Sequence, residues 1–217
     1  MSARPKVAVA IKSCHKHAAR RAAQLATWLP QLECDYFFLI GSPTPVQGGA
    51  VIADSIACDV SDAFDSIAPK IDCACRYAMD ENITNLLVCD DDTYIAASRL
   101  LKSNFARLDY VGWVRPNGDI ANGFVPYMQG SAYWLSARAM ERVIRSGEMH
   151  NNIIDDGAVG RALYGKVPFT HDDRYWPGPI PDRFPQANNV IISTHKVAPA
   201  IMPDIHKRWM AGLKPAA

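Results

Sequence analysis

The sequence has no excess of charge of either sign, no long apolar run and no C-x-x-C pair, and each absence removes a class of protein. With 23 Lys and Arg against 22 Asp and Glu, the formal charge is +1, so no overall field draws the chain to nucleic acid or to an anionic membrane. Specificity must come from local sites. The apolar stretch within "MSARPKVAVAIKS" falls well short of the roughly 20 residues of a membrane span, and no signal-type n-region, h-region or cleavage site accompanies it. A cytoplasmic location is expected. The cysteines, Cys14, Cys34, Cys58, Cys73, Cys75 and Cys89, lack the spacing of a zinc or redox pair, and they read as buried free thiols of a reducing compartment. The sequon at Asn82–Thr84 then has no glycosylating environment. Repeats and low-complexity tracts are also missing. What remains is a chain of 217 residues, 49% hydrophobic and 21% charged, which suits one globular domain over residues 1–217.

The order of elements predicts an α/β fold. "KVAVAIKS" (6–13) is a β-branched strand, and "HKHAARRAAQLATWLP" follows as a helix with Ala18, Ala22, Leu25, Ala26 and Leu29 on its expected inner face, ended by Pro30. "CDYFFLIG" is a second strand, and strand–helix–strand argues for a parallel sheet. A loop is expected over "GSPTPVQGGA" and a short strand in "AVIADSIACDV". A helix beginning near Pro69 places Ile71, Ala74, Cys75 and Ala78 on one face. "NLLVCD" is a central strand; "AASRLLKSNF" is a helix, "LDYVGWVR" a strand and "PNGDIANG" a turn-rich excursion. "PYMQGSAYWLS" is a long strand entering the helix "ARAMERVIRSG", which Gly147 closes. "IIDDGAVGRALYG" then starts a helix on two carboxylates.

"LLVCDDDTYI" ends an apolar strand on Asp90, Asp91 and Asp92. Like charges so close raise one another's pKa, so a positive group is expected beside them. The strand end is also where open α/β sheets place their ligands. A hard divalent cation fits, with positions left for substrate phosphates; the alternative is helix capping by one aspartate with the others solvated. Two enzyme classes use such a site. A dehalogenase-type phosphatase needs D-x-D-x-[TV], whereas "DDDT" here is followed by Tyr94. A nucleotide-sugar transferase instead uses its carboxylates to hold a cation against the donor diphosphate.

Blocks spread from about residue 7 to residue 196 resemble glycosyltransferase family 31, the β-1,3-galactosyltransferase and Fringe group. "VAVAIKSCHKHAARRAAQLATWLPQLECDYFFLIG" resembles the family's first strand, arginine-bearing helix and second strand, with Arg20, Arg21, Thr27 and Trp28 in register; Leu25 stands where another arginine is common. In "DSIACDVSDAFDSIAPKI", Asp59, Asp62, Phe64 and Lys70 fall in matching places. "LLVCDDDTYI" is the D-D-D block, and "VPYMQGSAYWLS" matches a Tyr-Cys-Ser-Gly-Gly-Gly-Tyr-x-Leu-Ser stretch at Tyr127, Gly130, Tyr133, Leu135 and Ser136, departing from it at Met128, Gln129, Ser131 and Ala132. "IIDDGAVGRAL" resembles the Glu/Asp-Asp-Val-x-x-Gly block, and "STHK" holds a late histidine, His195.

The resemblance implies a GT-A fold, a Rossmann-like mixed sheet with helices on both faces, and inverting sugar transfer from a UDP-sugar to a hydroxyl acceptor. It implies Asp156 as catalytic base, and Asp90, Asp92 and His195 as ligands of Mn²⁺ or Mg²⁺, with an imidazole favouring Mn²⁺. Donor contacts are expected from Asp91, Arg20, Arg21, Lys70 and Ser13, and acceptor contacts from Asp155, Gly130, Ser131 and the loop tryptophan Trp176, whose apolar face can stack on a sugar. Family members carrying a membrane anchor and stem are eukaryotic, so a bacterial or viral origin is expected. Each residue also has a plainer role: His195 as a core histidine, Asp155 and Asp156 as carboxylates favoured at a helix start, and Lys70, Arg20 and Arg21 as solvated charges. The late cluster His206, Lys207, Arg208 and Lys214 is either a solvated terminus or a contact for an anionic acceptor such as a phosphorylated glycan, a lipid-linked sugar or a nucleic acid. Two other functions stay open: a metal-dependent phosphatase or nucleotidyltransferase, and an inactive nucleotide-sugar-binding module.

Overall fold

The computed structural model describes residues 5–42, 50–52, 54–116, 124–179 and 190–212. Most of the expected loop "GSPTPVQGGA" and of the excursion "PNGDIANG", and Lys214 of the late basic cluster, lie outside the described residues.

Strand β1 (Val7–Lys12) pairs in parallel with β2 (Asp35–Gly41) on one side and β5 (Asn85–Asp90) on the other. Beyond β2 lie β4 (Ser55–Cys58), parallel to it, and β3 (Ala50–Ile52), antiparallel to β4; the sequence reading had merged these last two into one strand. On the far side of β5 come β8 (Tyr127–Ser136) and β7 (Tyr110–Arg115), each antiparallel to its inner neighbour, and then β9 (Phe169–His171), parallel to β7. The mixed, eight-stranded sheet has the order β3-β4-β2-β1-β5-β8-β7-β9. A separate antiparallel pair joins β6 (Tyr94–Ile95) to β10 (Ser193–Thr194).

Side-chain alternation sends Ala8 and Ala10 of β1 to one face and Val9 and Ile11 to the other. The first face packs on α2 (Ile67–Asp80), α4 (Ala137–Ser146) and α5 (Asp155–Leu163). On the second, Trp134 of β8 shares a buried cluster with Trp28 and Leu29, Leu100 of α3 (Ala97–Leu100), and Met202 and Trp209 of α6 (Met202–Gly212). Helices therefore cover both faces, as the sequence implied. α2 starts two residues before Pro69 and buries Ile71, Ala74, Cys75 and Ala78. Ser136 caps α4 by accepting from the Ala139 amide at 3.2 Å, and Gly147 ends it at φ 71°, where a side chain is disfavoured.

Two expectations need correction. The helix expected over "AASRLLKSNF" is one turn of α3 and a separate 3₁₀ turn at Asn104–Arg107, because the Ser103 hydroxyl takes the Leu100 carbonyl at 2.7 Å. Helix α1 (Ala18–Leu25) exposes Ala18, Ala22 and Leu25 and buries Gln24 instead. Its inner side lies on the loop after β5, where carbonyls need donors: Gln24 Nε2 reaches Thr93 O at 3.1 Å and Asp90 O at 3.3 Å. The cysteines are free thiols, but only Cys58, Cys75 and Cys89 are fully buried. Among the described residues no helix is long and apolar enough to cross a membrane.

Candidate active site

Because β1, β2, β4 and β5 run parallel, Lys12, Gly41, Cys58 and Asp90 end at one edge of the sheet. Lys12 and Asp90 are register partners. Asp90 turns toward the α5 face, where its Oδ1 lies 2.9 Å from Lys12 Nζ. Asp91, one residue on, turns toward α1: its Oδ2 accepts from Ser13 Oγ at 2.7 Å and meets His17 Nδ1 at 2.8 Å, and its Oδ1 accepts from Arg20 at 2.9 Å. Asp92 lies past the strand end, with Oδ1 3.1 Å from His195 Nδ1 and Oδ2 3.4 Å from Arg20. The period of two thus divides the triplet among three surroundings.

His195 arrives from a distant part of the chain through the β6–β10 pair, in which Thr194 faces Tyr94. Its amide donates to Gly178 O at 3.1 Å, and its Nδ1 lies 3.3 Å from Thr93 Oγ1, which in turn donates to Ser131 O. Ligand atoms of Asp90, Asp92 and His195 all fall within 4.8 Å of one another. Asp92 Oδ1 is buried with no hydrogen bond although His195 Nδ1 stands close by. A buried carboxylate oxygen without a hydrogen bond, facing a second carboxylate and an imidazole, fits a divalent cation. Burial pushes Asp90 above the usual carboxylate range, whereas in Asp92 the burial effect is outweighed by His195 and Arg20, which hold it low.

On the other side of Lys12 stands the start of α5. Lys12 Nζ reaches Asp155 Oδ2 at 2.5 Å, and Asp156 Oδ2 accepts from the Gly130 amide at 2.8 Å. A Cβ on Gly130 would lie 2.7 Å from Asp156 Oδ1 and 2.8 Å from Lys12 Nζ, so any side chain there would force these two groups to shift. The β7–β8 register shifts between Gly112 and Val114, and Gly130 lies between their partners Tyr133 and Met128. Burial and the adjacent Asp155 push Asp156 up to about 7. Asp155 is lowered: burial works against its charge, but the Lys12 ammonium prevails. Two neighbouring carboxylates are thus driven apart, one an ion-pair partner and one able to exchange a proton near neutrality.

A cavity of about 440 Å³ opens on the triplet and His195, with Lys16, His17, Arg20 and the exposed Phe64 on its other walls. Ser13, Arg20 and Lys70 line it as expected. Lys70, however, is 1% exposed and committed to Asp62 at 2.7 Å and Ser13 O at 2.8 Å, and Arg21 holds Ser13 Oγ and the Cys14 carbonyl. Asp91, expected at the donor, lines the cavity but is 2% exposed and held by Ser13, His17 and Arg20, so it orients those side chains. Gly130 presents its amide to Asp156, while Ser131 is 1% exposed behind Thr93 and Asp155 is tied to Lys12. Trp176 stands outside the cavity wall, edge-on to Trp113 at 5.1 Å with Nε1 on Pro179 O. His206 meets Tyr94 and Gln31, leaving Lys207 and Arg208 exposed. Sequence reasoning missed Lys12 and His17: a lysine closing an apolar strand beside one that closes on aspartate was the available signal for the first, and nothing in spacing marked the second.

No protein-family model matches the chain, and no curated protein sequence matches it. Solved structures do share its fold. One is a glycosyltransferase involved in the glycosylation of the major capsid of PBCV-1, with 13% identity and a TM-score of 0.55 over 94% of this chain and 100% of that one. The galactosyltransferase LgtC, solved with donor and acceptor sugar analogues, gives 10% and 0.53 over 96% and 97%. The bifunctional glycosyltransferase WbbM gives 10% and 0.53 over 89% of this chain and 46% of its own. The fold is GT-A.

Proposed function

We propose that residues 1–217 form a single inverting glycosyltransferase of the family 31 type, β-1,3-galactosyltransferase-like, acting in the cytoplasm on a UDP-sugar. The observation that carries this reading is the placing of a cation-ready trio, Asp90, Asp92 and His195, and a proton-exchanging carboxylate, Asp156, on the two sides of one buried lysine. A divalent cation held by the trio would supply Lewis-acid stabilisation of charge on the departing diphosphate.

The chain's own groups do the rest. Arg20 and His17, fixed by Asp91, and Lys16 face the cavity with positive or hydrogen-bonding groups suited to diphosphate oxygens. Asp156 takes the proton from the acceptor hydroxyl as that oxygen attacks the anomeric carbon from the face opposite the diphosphate, which inverts configuration. Its raised pKa makes it a competent base near neutral pH. A module that only bound nucleotide sugars would have no use for this group.

Incubation with Mn²⁺ and UDP-galactose, UDP-glucose or UDP-N-acetylglucosamine tests the reading. Slow release of UDP from one donor, lost with EDTA and in Asp92→Asn, is expected. Binding without hydrolysis would favour the inactive module, and phosphate release from simple esters would favour a phosphatase.

A further inference from the structure

Lys12 is 6% exposed at the end of β1. A buried ammonium is costly unless it is paired, and this one has two carboxylates, Asp90 Oδ1 at 2.9 Å and Asp155 Oδ2 at 2.5 Å. The first contact occupies one oxygen of Asp90 and leaves Oδ2 facing His195 Nδ1 at 3.8 Å. The second neutralises Asp155, so that its neighbour Asp156 rests on the Gly130 amide instead. The missing Cβ of Gly130 is what gives both Nζ and Asp156 their space.

We propose that Lys12 is a positioning residue of the transfer site: its ammonium locks the cation-side carboxylate of β5 and the base-bearing start of α5 into one arrangement. Asp90 then offers a single oxygen to the cation, and Asp156 is held by the Gly130 amide on the other side of Lys12. The inference rests on the assignment of Asp156 as base. Groups that support a ligand from behind in this way typically change metal affinity or activity by about 10–100-fold when removed. A buried ion pair with no part in catalysis would affect folding alone.

Lys12→Met keeps an unbranched apolar stem and removes the charge. Three readouts apply: Mn²⁺ affinity by calorimetry without substrate, kcat and donor KM for UDP release, and the pH dependence of kcat/KM. The expected results are Mn²⁺ bound about 10–100-fold more weakly, because Asp90 loses the contact that fixes it, and kcat lowered about 10–100-fold. Donor KM should stay within about threefold, the pattern of an interaction made in the transition state. The rising limb of the pH profile should move to higher pH, because the cation favouring ionised Asp156 is gone. Wild-type values for Mn²⁺ affinity, kcat and the limb in folded Lys12→Met would overturn the proposal. Should that variant fail to fold, Asp155→Asn decides: a roughly tenfold or larger fall in kcat with the limb moved to lower pH supports the bridge, and unchanged kcat overturns it. Asp156→Asn separates the two claims, since turnover retained there would remove the base assignment, whereas the calorimetric result for Lys12 involves no base.

Discussion

Asp156 carries the sharpest prediction at the scale of single residues. Burial, with Asp155 beside it, raises its pKa to about 7. As a base it acts when ionised, so kcat/KM should rise with pH through about 7, and Asp156→Asn should lower kcat by about 10²–10⁴-fold. The same shift has a consequence for stability with a definite sign. A folded-state pKa above the unfolded value of about 3.9 gives a contribution that is full below that value and is lost as pH rises through the folded pKa. Asp156→Asn should therefore exceed the wild type in melting temperature by a wider margin at pH 8 than at pH 5, where only part of the contribution has been lost. Thermal melts at the two pH values check this; a variant no more stable at pH 8 than at pH 5, relative to wild type, would mean that Asp156 is not strained by burial. Its place at the start of α5 was legible because two carboxylates opening a helix are visible in "IIDDGAVG". Which of them would pair was not, since that depends on Lys12, far away in the chain.

Among the elements, α1 shows how a site defeats a periodicity argument. Small apolar residues at helical spacing normally mark the face toward a core. Here Ala18, Ala22 and Ala26 are exposed, and the inner face is the polar one, because it covers the acidic loop after β5 rather than the sheet. Gln24→Ala should thus cost about 1–3 kcal/mol, because the Thr93 carbonyl loses its Gln24 donor while the Asp90 carbonyl keeps the Thr93 amide, and Ala22→Ser on the exposed side should stay within about 0.5 kcal/mol. Denaturant unfolding of both variants measures the difference, and equal stabilities would mean that α1 does not brace the acidic loop. Where a helix lays an apolar stripe on the sheet, as α2 does beside its buried Lys70 and Asp72, the sequence was readable for the same physical reason: Ile71, Ala74, Cys75 and Ala78 go where their period points.

Across the whole molecule, the site draws on residues 12 to 195 and is assembled by strand order rather than by proximity in the chain. Block order along the sequence carried the fold, since apolar strands and the acidic tip are local signals. The long-range partners did not show locally: the insertion of β8 between β5 and β7 brings Gly130 to Asp156, and the β6–β10 pair brings His195 to Asp92. Under the proposed function, the cation side and the base flank the reacting carbon from opposite faces, which has one stereochemical consequence. The most direct measurement is the anomeric configuration of the sugar first released when the enzyme, with Mn²⁺, hydrolyses an α-linked UDP-sugar, followed by proton NMR before mutarotation. The account predicts the β-anomer; the α-anomer as first product would contradict it.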